Sequence, residues 1–599
     1  MAQHTLHQAI PTDVQRIRAR RPFPLNVLTF SDRAAGQVRL VARAWIVVAV
    51  AILAFLAWQD GIPSNPERGD WDIYAQLGLL VLVLFGAVLA WRWEGAGATL
   101  IMLGAAALGA LSAAAYTPLR AVMITLLFFI PSVLFWLVWQ RIRPIWEVAV
   151  LAIVLAVTLG GTGYAANRVY DTYFGPVQPE SQVALAPSAT VDWVWAGATT
   201  DTSAVVKASL VAETPDARLA VSASEDMADA RYVEPDSINP TLLSFTVDGL
   251  APDTEYWYAV EAGGELDLGR QGRLRTFPSG AGSFTFAFGS CLDTGSNGVV
   301  FDTIRKHDPL FFVEDGDFFY EDIAIDSLPM FLDGYDRNLT SPAQSALYRS
   351  VPMAYVWDDH DFGPNNADST SPSRDAAQAA YRQAVPHYPL PDADGGAIYQ
   401  AFTVGRVRFI MTDNYSYRTS SAAPDGPDKT MLGAEQQAWL ERELLDANGA
   451  YSVIAWVNSQ PWIAPAAAGG DDGWGAYATE RQEISDFIVK HHIQGLMMLS
   501  GDAHMIAMDN GSHNTFASDG EGPGFPVFQA AALDRHGSVK GGPYSEGTDA
   551  GGGQFGLVTI NDDGGDTIEI VWSGRNYKDE ELMRYSFTVP APAESQGRS

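Results

Sequence analysis

Five long apolar stretches follow one another within the first 170 residues of the chain. Each is close to the roughly 18–20 residues that an α-helix needs to cross about 30 Å of hydrocarbon. Arg43 interrupts the first stretch, and tryptophan or tyrosine stands near many stretch ends, as is typical of a membrane interface. The pattern predicts a cytoplasmic tail over residues 1–40 and a transmembrane bundle of about five helices over residues 41–169, with spans at Val41–Trp58, Ile73–Trp91, Ala96–Tyr116, Ala121–Trp139 and Val148–Ala166.

Basic residues are distributed unevenly between the two sides of the predicted spans. Six arginines precede the first span and three lie in the second-to-third and fourth-to-fifth loops, whereas the other loops hold two. Because an excess of basic residues marks the cytoplasmic side, the N-terminus is predicted to lie inside the cell. An odd number of spans then places everything after residue 170 outside the plasma membrane. If the first stretch does not span, the orientation reverses.

After the long apolar stretches, the hydrophobic residues occur only in short runs. Between residues 184 and 278, alternating runs separated by turn residues predict an all-β sandwich. Leu250–Tyr258 resembles the tyrosine corner of a fibronectin type III-like domain, with Tyr256 or Tyr258 fixing the turn. From residue 280 to 590, apolar runs of four to six residues alternate with helical segments, which predicts an α/β layer fold.

Several of the predicted strands in this last region end in polar clusters. Ligands bind beyond the carboxyl ends of strands in α/β sheets, so clusters in series are expected to meet in one site. Any one of them alone is typical of a surface loop or a helix cap. The clusters are Gly289–Cys291, Glu314–Asp317, Asp358–Asp361, Asp413–Asn414, Asn458–Gln460 and Ser500–His504.

The residue types in these clusters favour a mixed metal site. Tyr320, in Gly-Asp-Phe-Phe-Tyr, keeps its proton to about pH 10 unless a strongly Lewis-acidic ion binds it, and ferric iron meets that need. The thiolate of Cys291 prefers iron or zinc. The carboxylate and amide oxygens of Asp358 or Asp359, Asn365 or Asn366, and Asp502 suit calcium, magnesium or manganese. Two cations about 3.5–4 Å apart can hold a phosphoryl group and activate a water molecule between them. His360 can then protonate the leaving group or stabilise charge on the phosphoryl oxygens.

Charge and cysteine content narrow the classes of function further. Of the 38 basic and 70 acidic residues, 13 and 8 lie in the first 170, so the remainder is strongly acidic. Nucleic-acid binding depends on basic charge, and no nucleic-acid-binding surface is expected. The single cysteine, Cys291, excludes an intrachain disulfide framework and a CxxC zinc site.

Five motifs together resemble the alkaline phosphatase D (PhoD-like) family of metallophosphatases over roughly residues 184–590. The motifs are Phe288-Gly-Ser-Cys, Gly316-Asp-Phe-Phe-Tyr-Glu-Asp, Trp357-Asp-Asp-His-Asp-Phe-Gly-Pro-Asn-Asn, Met431-Leu-Gly-Ala-Glu-Gln-Gln-Ala-Trp-Leu and Leu499-Ser-Gly-Asp-Ala-His. The resemblance implies a four-layer α/β/β/α sandwich that binds Fe³⁺ and Ca²⁺, with other divalent ions acceptable at the second position.

The resemblance also implies roles for individual residues. The iron ligands would be Cys291, Asp317, Tyr320 and His504, with Asp317 bridging to the second ion. Asp359 and Asp502, joined by Asn366, would bind the second ion, and Asp358 can exchange roles with Asp359. His360 would assist the phosphoryl group.

Two features depart from the family pattern. Where the family commonly has Asp-Thr-Arg-x-Tyr-Arg, this chain has Asp413-Asn-Tyr-Ser-Tyr-Arg, so that Tyr415 replaces one arginine and Arg418 remains. The membrane region is also not part of a secreted enzyme of this family. Because the acidic body repels anions, local positive charge is needed for a phosphate substrate. The candidates are Arg535 and Lys540, in a glycine-rich segment that is equally typical of a surface loop. Arg418 is a candidate for substrate binding or for a structural partner of Asp413, and Asn366 is a further candidate for substrate binding.

The sequence therefore predicts a membrane-anchored, extracytoplasmic phosphohydrolase that acts on phosphomonoesters or phosphodiesters, with the lipid bilayer and a phosphate ester as its partners. The alternative is a catalytically inactive membrane sensor or adhesion protein on a phosphatase scaffold. A transporter is disfavoured because the spans hold almost no charge.

Overall fold

The structure is a computed structural model of the chain, which describes residues 27–29, 31–59, 71–113, 118–139, 142–174, 177–236, 239–391, 395–466, 472–520 and 522–591. The predicted cytoplasmic tail lies mostly outside these residues. The chain divides into two compact units, Met1–Gly175 and Pro176–Ser599.

The first unit is built of helices. They begin and end near the predicted spans, with two exceptions: the first helix starts nine residues earlier, within the predicted tail, and the last helix ends eight residues later. Its elements are β1 (Val27–Thr29), α1 (Asp32–Gln59), α2 (Trp71–Leu89), α3 (Glu94–Ser112), α4 (Pro118–Trp139), β2 (Ile142–Pro144) and α5 (Ile145–Phe174).

Three stretches among the described residues of these helices are long and apolar enough to cross a membrane: Asp32–Ile52, Glu94–Ser112 and Ala121–Trp139. Tyr74–Leu89 is apolar but shorter. The helices pack closely, since a Cβ on Gly109 would lie 1.6 Å from Thr125 Oγ1.

The second unit begins with eight short strands, where the sequence predicts a β-sandwich. They are β3 (Val191–Gly197), β4 (Ser203–Leu210), β5 (Arg218–Ser222), β6 (Arg231–Val233), β7 (Leu242–Asp248), β8 (Glu255–Ala262), β9 (Glu265–Leu266) and β10 (Gly272–Arg275). One apolar cluster includes residues from β3, β4 and β7 and from β5, β8 and β10, so the two sets of strands pack face to face. The Tyr256 hydroxyl accepts a hydrogen bond from Ala251 N at 2.9 Å, whereas Tyr258 donates to Arg349 O.

The rest of the unit alternates strands and helices. Its strands are β11 (Phe284–Gly289), β12 (Phe312–Asp315), β13 (Met353–Val356), β14 (Gln400–Val404), β15 (Val407–Met411), β16 (Val453–Val457), β17 (Leu496–Ser500), β18 (Ile506–Asp509), β19 (Val527–Ala530), β20 (Gly547–Asp549), β21 (Gln554–Asn561), β22 (Thr567–Asn576) and β23 (Glu581–Pro590). Its helices are α6 (Val299–Lys306), α7 (Leu328–Leu339), α8 (Pro342–Tyr348), α9 (Asp359–Phe362), α10 (Arg374–Ala384), α11 (Ala434–Ala447) and α12 (Ala478–Lys490).

Two large sheets form the centre of the second unit. One has nine strands in the order β23-β22-β21-β11-β12-β13-β3-β4-β7, and the other has seven in the order β14-β15-β16-β17-β19-β18-β20. Side chains of both sheets share one buried apolar cluster, and α11 and α12 contribute to a second cluster with the seven-stranded sheet. Because β3 pairs with β13, β3, β4 and β7 extend the nine-stranded sheet. The other strands of the predicted sandwich form a five-stranded sheet of their own, in the order β10-β8-β5-β6, with β9 paired to β8.

Candidate metal centre

The candidate ligands follow the carboxyl ends of four strands: β11, β12, β13 and β17. The first three strands are parallel neighbours in the nine-stranded sheet, and β17 belongs to the seven-stranded sheet. The loops of the two sheets approach closely at Gly501, where a Cβ would lie 2.5 Å from Asp315 O and 2.6 Å from Ser290 Oγ. Strand ends far apart in sequence are thereby brought to one place.

Five candidate ligands adopt the left-handed backbone conformation, which is uncommon outside glycine. One is Asn366, with a φ of 57°; the φ angles of the other four are 62° at Cys291, 56° at Asp317, 59° at Asp502 and 50° at His504. Such conformations cost free energy and cluster at functional sites. In this chain the last four turn the side chains that follow β11, β12 and β17 toward one another.

Cys291, Asp317 and His504 offer ligand atoms that all lie within 4.8 Å of one another, and each side chain is buried. The Tyr320 hydroxyl donates to Asp317 Oδ2 at 2.6 Å and lies 3.1 Å from His504 Nε2. His504 Nδ1 lies 2.9 Å from His536 O, which orients Nε2 toward the same point. The four side chains that the resemblance assigns to iron therefore meet.

Burial raises the pKa of the Cys291 thiol well above its usual value, and the charges of Asp317 and Asp502 raise it further. The pKa of Tyr320 is also raised, first by burial and then by Asp317 and Cys291. Both groups thus keep their protons unless a cation compensates the negative charge. The donor set consequently fits a strongly Lewis-acidic ion.

Asp317 also belongs to two other groups of possible metal ligands. Its carboxylate lies within 4.8 Å of ligand atoms of Asp359 and His360, and within the same distance of ligand atoms of Asp358 and Asp502. Burial raises the pKa of Asp359 to about 7, with His360 opposing the rise, and raises the pKa of Asp502 to about 6, with Lys540 opposing it. Carboxylates crowded in this way need positive charge between them, and oxygen donors of this kind suit a hard divalent ion.

Asp358 is held by side chains to which the sequence assigned no role. Gln460 Nε2 donates to both carboxylate oxygens, at 2.8 and 3.0 Å, and Ser459 Oγ donates at 2.9 Å. The same Gln460 nitrogen donates to the Tyr415 hydroxyl at 2.8 Å. The polar cluster after β16 was the available signal, but nothing in it indicated that it would orient Asp358.

His360 lies against Tyr320, with 4.0 Å between ring centroids. Its Nδ1 is 2.7 Å from Asp322 Oδ1, and its Nε2 is 3.8 Å from Asp359 Oδ1. Burial alone would lower the pKa of His360, but Asp359, Asp322 and Asp317 outweigh it and the pKa is raised. Asn366 is exposed, and its backbone N–H donates to Asp359 Oδ2.

The three basic residues predicted to bind substrate occupy different environments. Arg418 is 1% exposed and is stacked between Tyr415 and Tyr477, with its Cζ 4.9 and 5.1 Å from their ring centroids. Lys540 Nζ is 2.8 Å from Asp502 Oδ1, and the guanidinium of Arg535 covers the Tyr320 ring at 4.1 Å. Lys540 and Arg535 thus border the centre, whereas Arg418 is enclosed behind Tyr415.

Residues 286–540 match the family described as PhoD-like phosphatase. This region of the chain is similar to PhoD-like phosphatases. Residues 31–146 match a separate domain of unknown function, DUF7670. The chain is 26% identical over 310 residues to alkaline phosphatase D of Bacillus subtilis, and the alignment covers 43% of this chain and 52% of the relative. An uncharacterized protein of Mycobacterium tuberculosis is 28% identical over 236 residues, covering 35% of this chain and 40% of that protein.

The chain spans about half or less of the length of these curated relatives. The alignment with a solved structure of PhoD covers 69% of this chain and 95% of the PhoD chain, with a TM-score of 0.50 and 19% sequence identity. The family resemblance and the PhoD-like metallophosphatase fold are thereby confirmed.

Proposed function

We propose that this protein is a membrane-anchored, metal-dependent hydrolase of phosphoric esters, with an α/β/β/α phosphatase domain on the extracytoplasmic side of the plasma membrane. The observation that carries the proposal is the position of Asp317. This carboxylate belongs at once to three groups of possible ligands, one with Cys291 and His504, one with Asp359 and His360, and one with Asp358 and Asp502. Within each group the ligand atoms lie within 4.8 Å of one another. A carboxylate in that position suits a bridge between two different cations.

The donor types support the assignment of the ions. Thiolate, phenolate and imidazole beside a bridging carboxylate suit Fe³⁺, and we assign Cys291, Asp317, Tyr320 and His504 to it. Oxygen donors alone suit Ca²⁺ or a similar divalent ion, and we assign Asp317, Asp359 and Asp502, with Asp358 and Asn366, to that ion. When bound, the pair of cations supplies Lewis acidity that neutralises phosphoryl charge and makes water more acidic.

The protein itself supplies the proton chemistry and the positioning. Asp322 fixes the His360 ring through Nδ1, so that Nε2 faces the centre beside Asp359. A protonated His360 in this orientation can donate to the leaving oxygen of the ester. The ammonium of Lys540 and the guanidinium of Arg535 supply positive charge at the edge of the centre, where the acidic body would otherwise repel a phosphate.

The surface of the helical unit supports anchoring in a bilayer. Large apolar side chains on its helices are exposed, including Leu40 (68%), Tyr74 (71%) and Val88 (70%). Exposed apolar area of this kind is unfavourable in water and is expected at a lipid-facing surface. The uneven distribution of arginines between loops supports a cytoplasmic N-terminus and an external phosphatase domain.

The test is hydrolysis of a chromogenic phosphodiester and a chromogenic phosphomonoester by the purified full-length protein, before and after chelation. We expect hydrolysis that chelator abolishes and that iron with calcium restores. Asp317→Asn should abolish it, whereas Asp579→Asn, a half-exposed carboxylate paired with His307, should not. Metal-loaded protein with no turnover on either ester would contradict the proposal and favour the inactive sensor or adhesion protein.

A further inference from the structure

Residues 177–183 follow the helical unit in sequence and are bound to the body of the second unit. Ser181 N donates to Asn297 O at 2.7 Å, and Pro179 O accepts from Val299 N at 3.0 Å. The Ser181 side chain is also buried, and its Oγ donates to a carboxylate of α6 at 2.6 Å. The segment is thereby attached to the loop after β11 and to α6.

Gln178 connects this segment to the loop after β19. Its amide is buried, and a Cβ on Gly298 would lie 2.6 Å from Gln178 Cδ. Gln178 Oε1 accepts from Val300 N, in the first turn of α6, at 2.7 Å, and Gln178 Nε2 donates to Leu533 O at 2.8 Å. Because an amide side chain donates and accepts at once, Gln178 joins α6 to Leu533 as no apolar or ionised acidic side chain can.

Leu533 lies two residues before Arg535 in the same loop. Its side chain is buried, and Leu533 N donates to Ser290 O at 3.0 Å. Arg535 forms an ion pair with Asp293, and its guanidinium lies 4.1 Å from the centroid of the Tyr320 ring. The loop is therefore held at Leu533 just before it places an arginine against a candidate iron ligand.

Removal of the amide at Gln178 would take away the donor to the Leu533 carbonyl, and a buried acceptor that loses its donor is unfavourable. The loop is then expected to shift toward other donors or water, and Arg535 with it. We propose that Gln178 is a positioning residue for Arg535, which it holds at the edge of the catalytic centre by fixing the loop after β19.

The inference rests on the proposed function, in which Arg535 supplies positive charge for the phosphate ester. It adds that the segment directly after the helical unit is a working part of the substrate site and not only a connection. The geometry behind it consists of two hydrogen bonds of Gln178 and the contacts of Arg535 with Asp293 and Tyr320.

Gln178→Glu tests the contact in the full-length protein. Its carboxylate still accepts from Val300 N but cannot donate to Leu533 O. The matched control is Gln182→Glu, which introduces the same charge in the same segment at an exposed side chain. We expect Gln178→Glu to raise KM for a chromogenic phosphodiester about tenfold, as the loss of one hydrogen bond implies, with a smaller change in kcat. The control should keep both constants.

A double variant separates positioning from general destabilisation. If Gln178 acts through Arg535, Gln178→Glu adds nothing to the effect of Arg535→Ala, and the double variant has the KM of Arg535→Ala. A loss unrelated to Arg535 instead adds to that effect, and such additivity would overturn the proposal. If Gln178→Glu does not fold, Gln178→Asn replaces it, because the shorter side chain cannot reach both partners, with Gln182→Asn as its control.

Limited trypsin digestion gives a readout that does not depend on ester hydrolysis. The rate of cleavage after Arg535 is measured by mass spectrometry and divided by the rate after Lys578, an exposed residue in the turn between β22 and β23. Because proteolysis follows local opening, we expect this ratio to rise in Gln178→Glu and to keep the wild-type value in Gln182→Glu. An equal ratio in wild type and Gln178→Glu would overturn the proposal. A raised ratio in the variant of a protein that hydrolyses no ester would support positioning by Gln178 and contradict the proposed function.

Discussion

Gly316 permits a close approach to Asp358 within the proposed catalytic centre, and its replacement tests whether ligand placement controls activity. Its φ is +95°, and a Cβ at this position would lie 2.5 Å from Asp358 Cβ and 2.8 Å from Asp358 N. Its carbonyl accepts from Cys291 N at 3.2 Å. The residue therefore lies between candidate ligands that follow three different strands.

The size of the perturbation in Gly316→Ala follows from these distances. Carbon atoms pack at about 3.5 Å or more, so the added methyl group requires a displacement of about 1 Å. A displacement of about 1 Å in a catalytic site can reduce the rate about 10²-fold. The left-handed conformation adds about 1–2 kcal/mol of destabilisation for any side chain.

The assay is kcat/KM for a chromogenic phosphodiester, with metal content and Tm measured on the same preparation. Gly280→Ala is the control, because a Cβ on Gly280 meets no atom within 4 Å. We expect the control to keep wild-type activity and Gly316→Ala to lose about two orders of magnitude while remaining folded. Unchanged kcat/KM in folded Gly316→Ala would refute the reasoning.

Three further predictions concern stability and location. Gln460→Leu removes the amide that donates to both oxygens of Asp358 and should lower the free energy of unfolding by about 1–3 kcal/mol, measured by urea titration. Gln437, which is half-buried, provides the control, and an equal loss of stability in Gln437→Leu would contradict this prediction. In chelated protein the raised pKa values of Asp359 (about 7) and Asp502 (about 6) mean that the folded state holds protons that the unfolded state releases, so stability should fall as pH rises from about 4 to 7. Tm measured at pH 5 and pH 8 checks this, and an equal or higher Tm at pH 8 would argue against it. The full-length protein should stay in the membrane pellet after alkaline carbonate extraction, and release into the supernatant would oppose a spanning bundle.

The polar residues that follow the predicted strands were the part of the site that the sequence could predict. Cys291, Asp317 and His504 each follow a buried apolar run. The strands before Cys291 and Asp317 are parallel neighbours, so their ends lie together by geometry, whereas His504 follows a strand of the other sheet and reaches them because the two sheets pack together. The distinction between Asp358 and Asp359 was beyond sequence, because adjacent residues differ only in the partners that the fold brings to them. Gln460 reaches Asp358 from a strand about 100 residues away, and no local pattern encodes that contact.

Local sequence patterns also could not predict which residues form ion pairs or which strands pair within one sheet. Lys540 and Arg535 were predicted only as local positive charge, whereas the structure pairs them with Asp502 and Asp293. The sequence predicted the strands before residue 278 as a separate sandwich. The alternation of apolar and polar residues indicates which face of a strand is buried, but not which strand lies beside it. The pairing of β3 with β13 joins residues more than 150 positions apart.

The most direct test of the central claim is the visible absorption spectrum of protein purified from iron-replete cells, with iron content measured in parallel. A ferric ion bound by Tyr320 and Cys291 should colour the protein, and Tyr320→Phe should shift or abolish the band, whereas Tyr256→Phe, in the β-strand region, should leave it unchanged. A colourless, iron-free wild type, or the same band in Tyr320→Phe, would contradict the proposed centre.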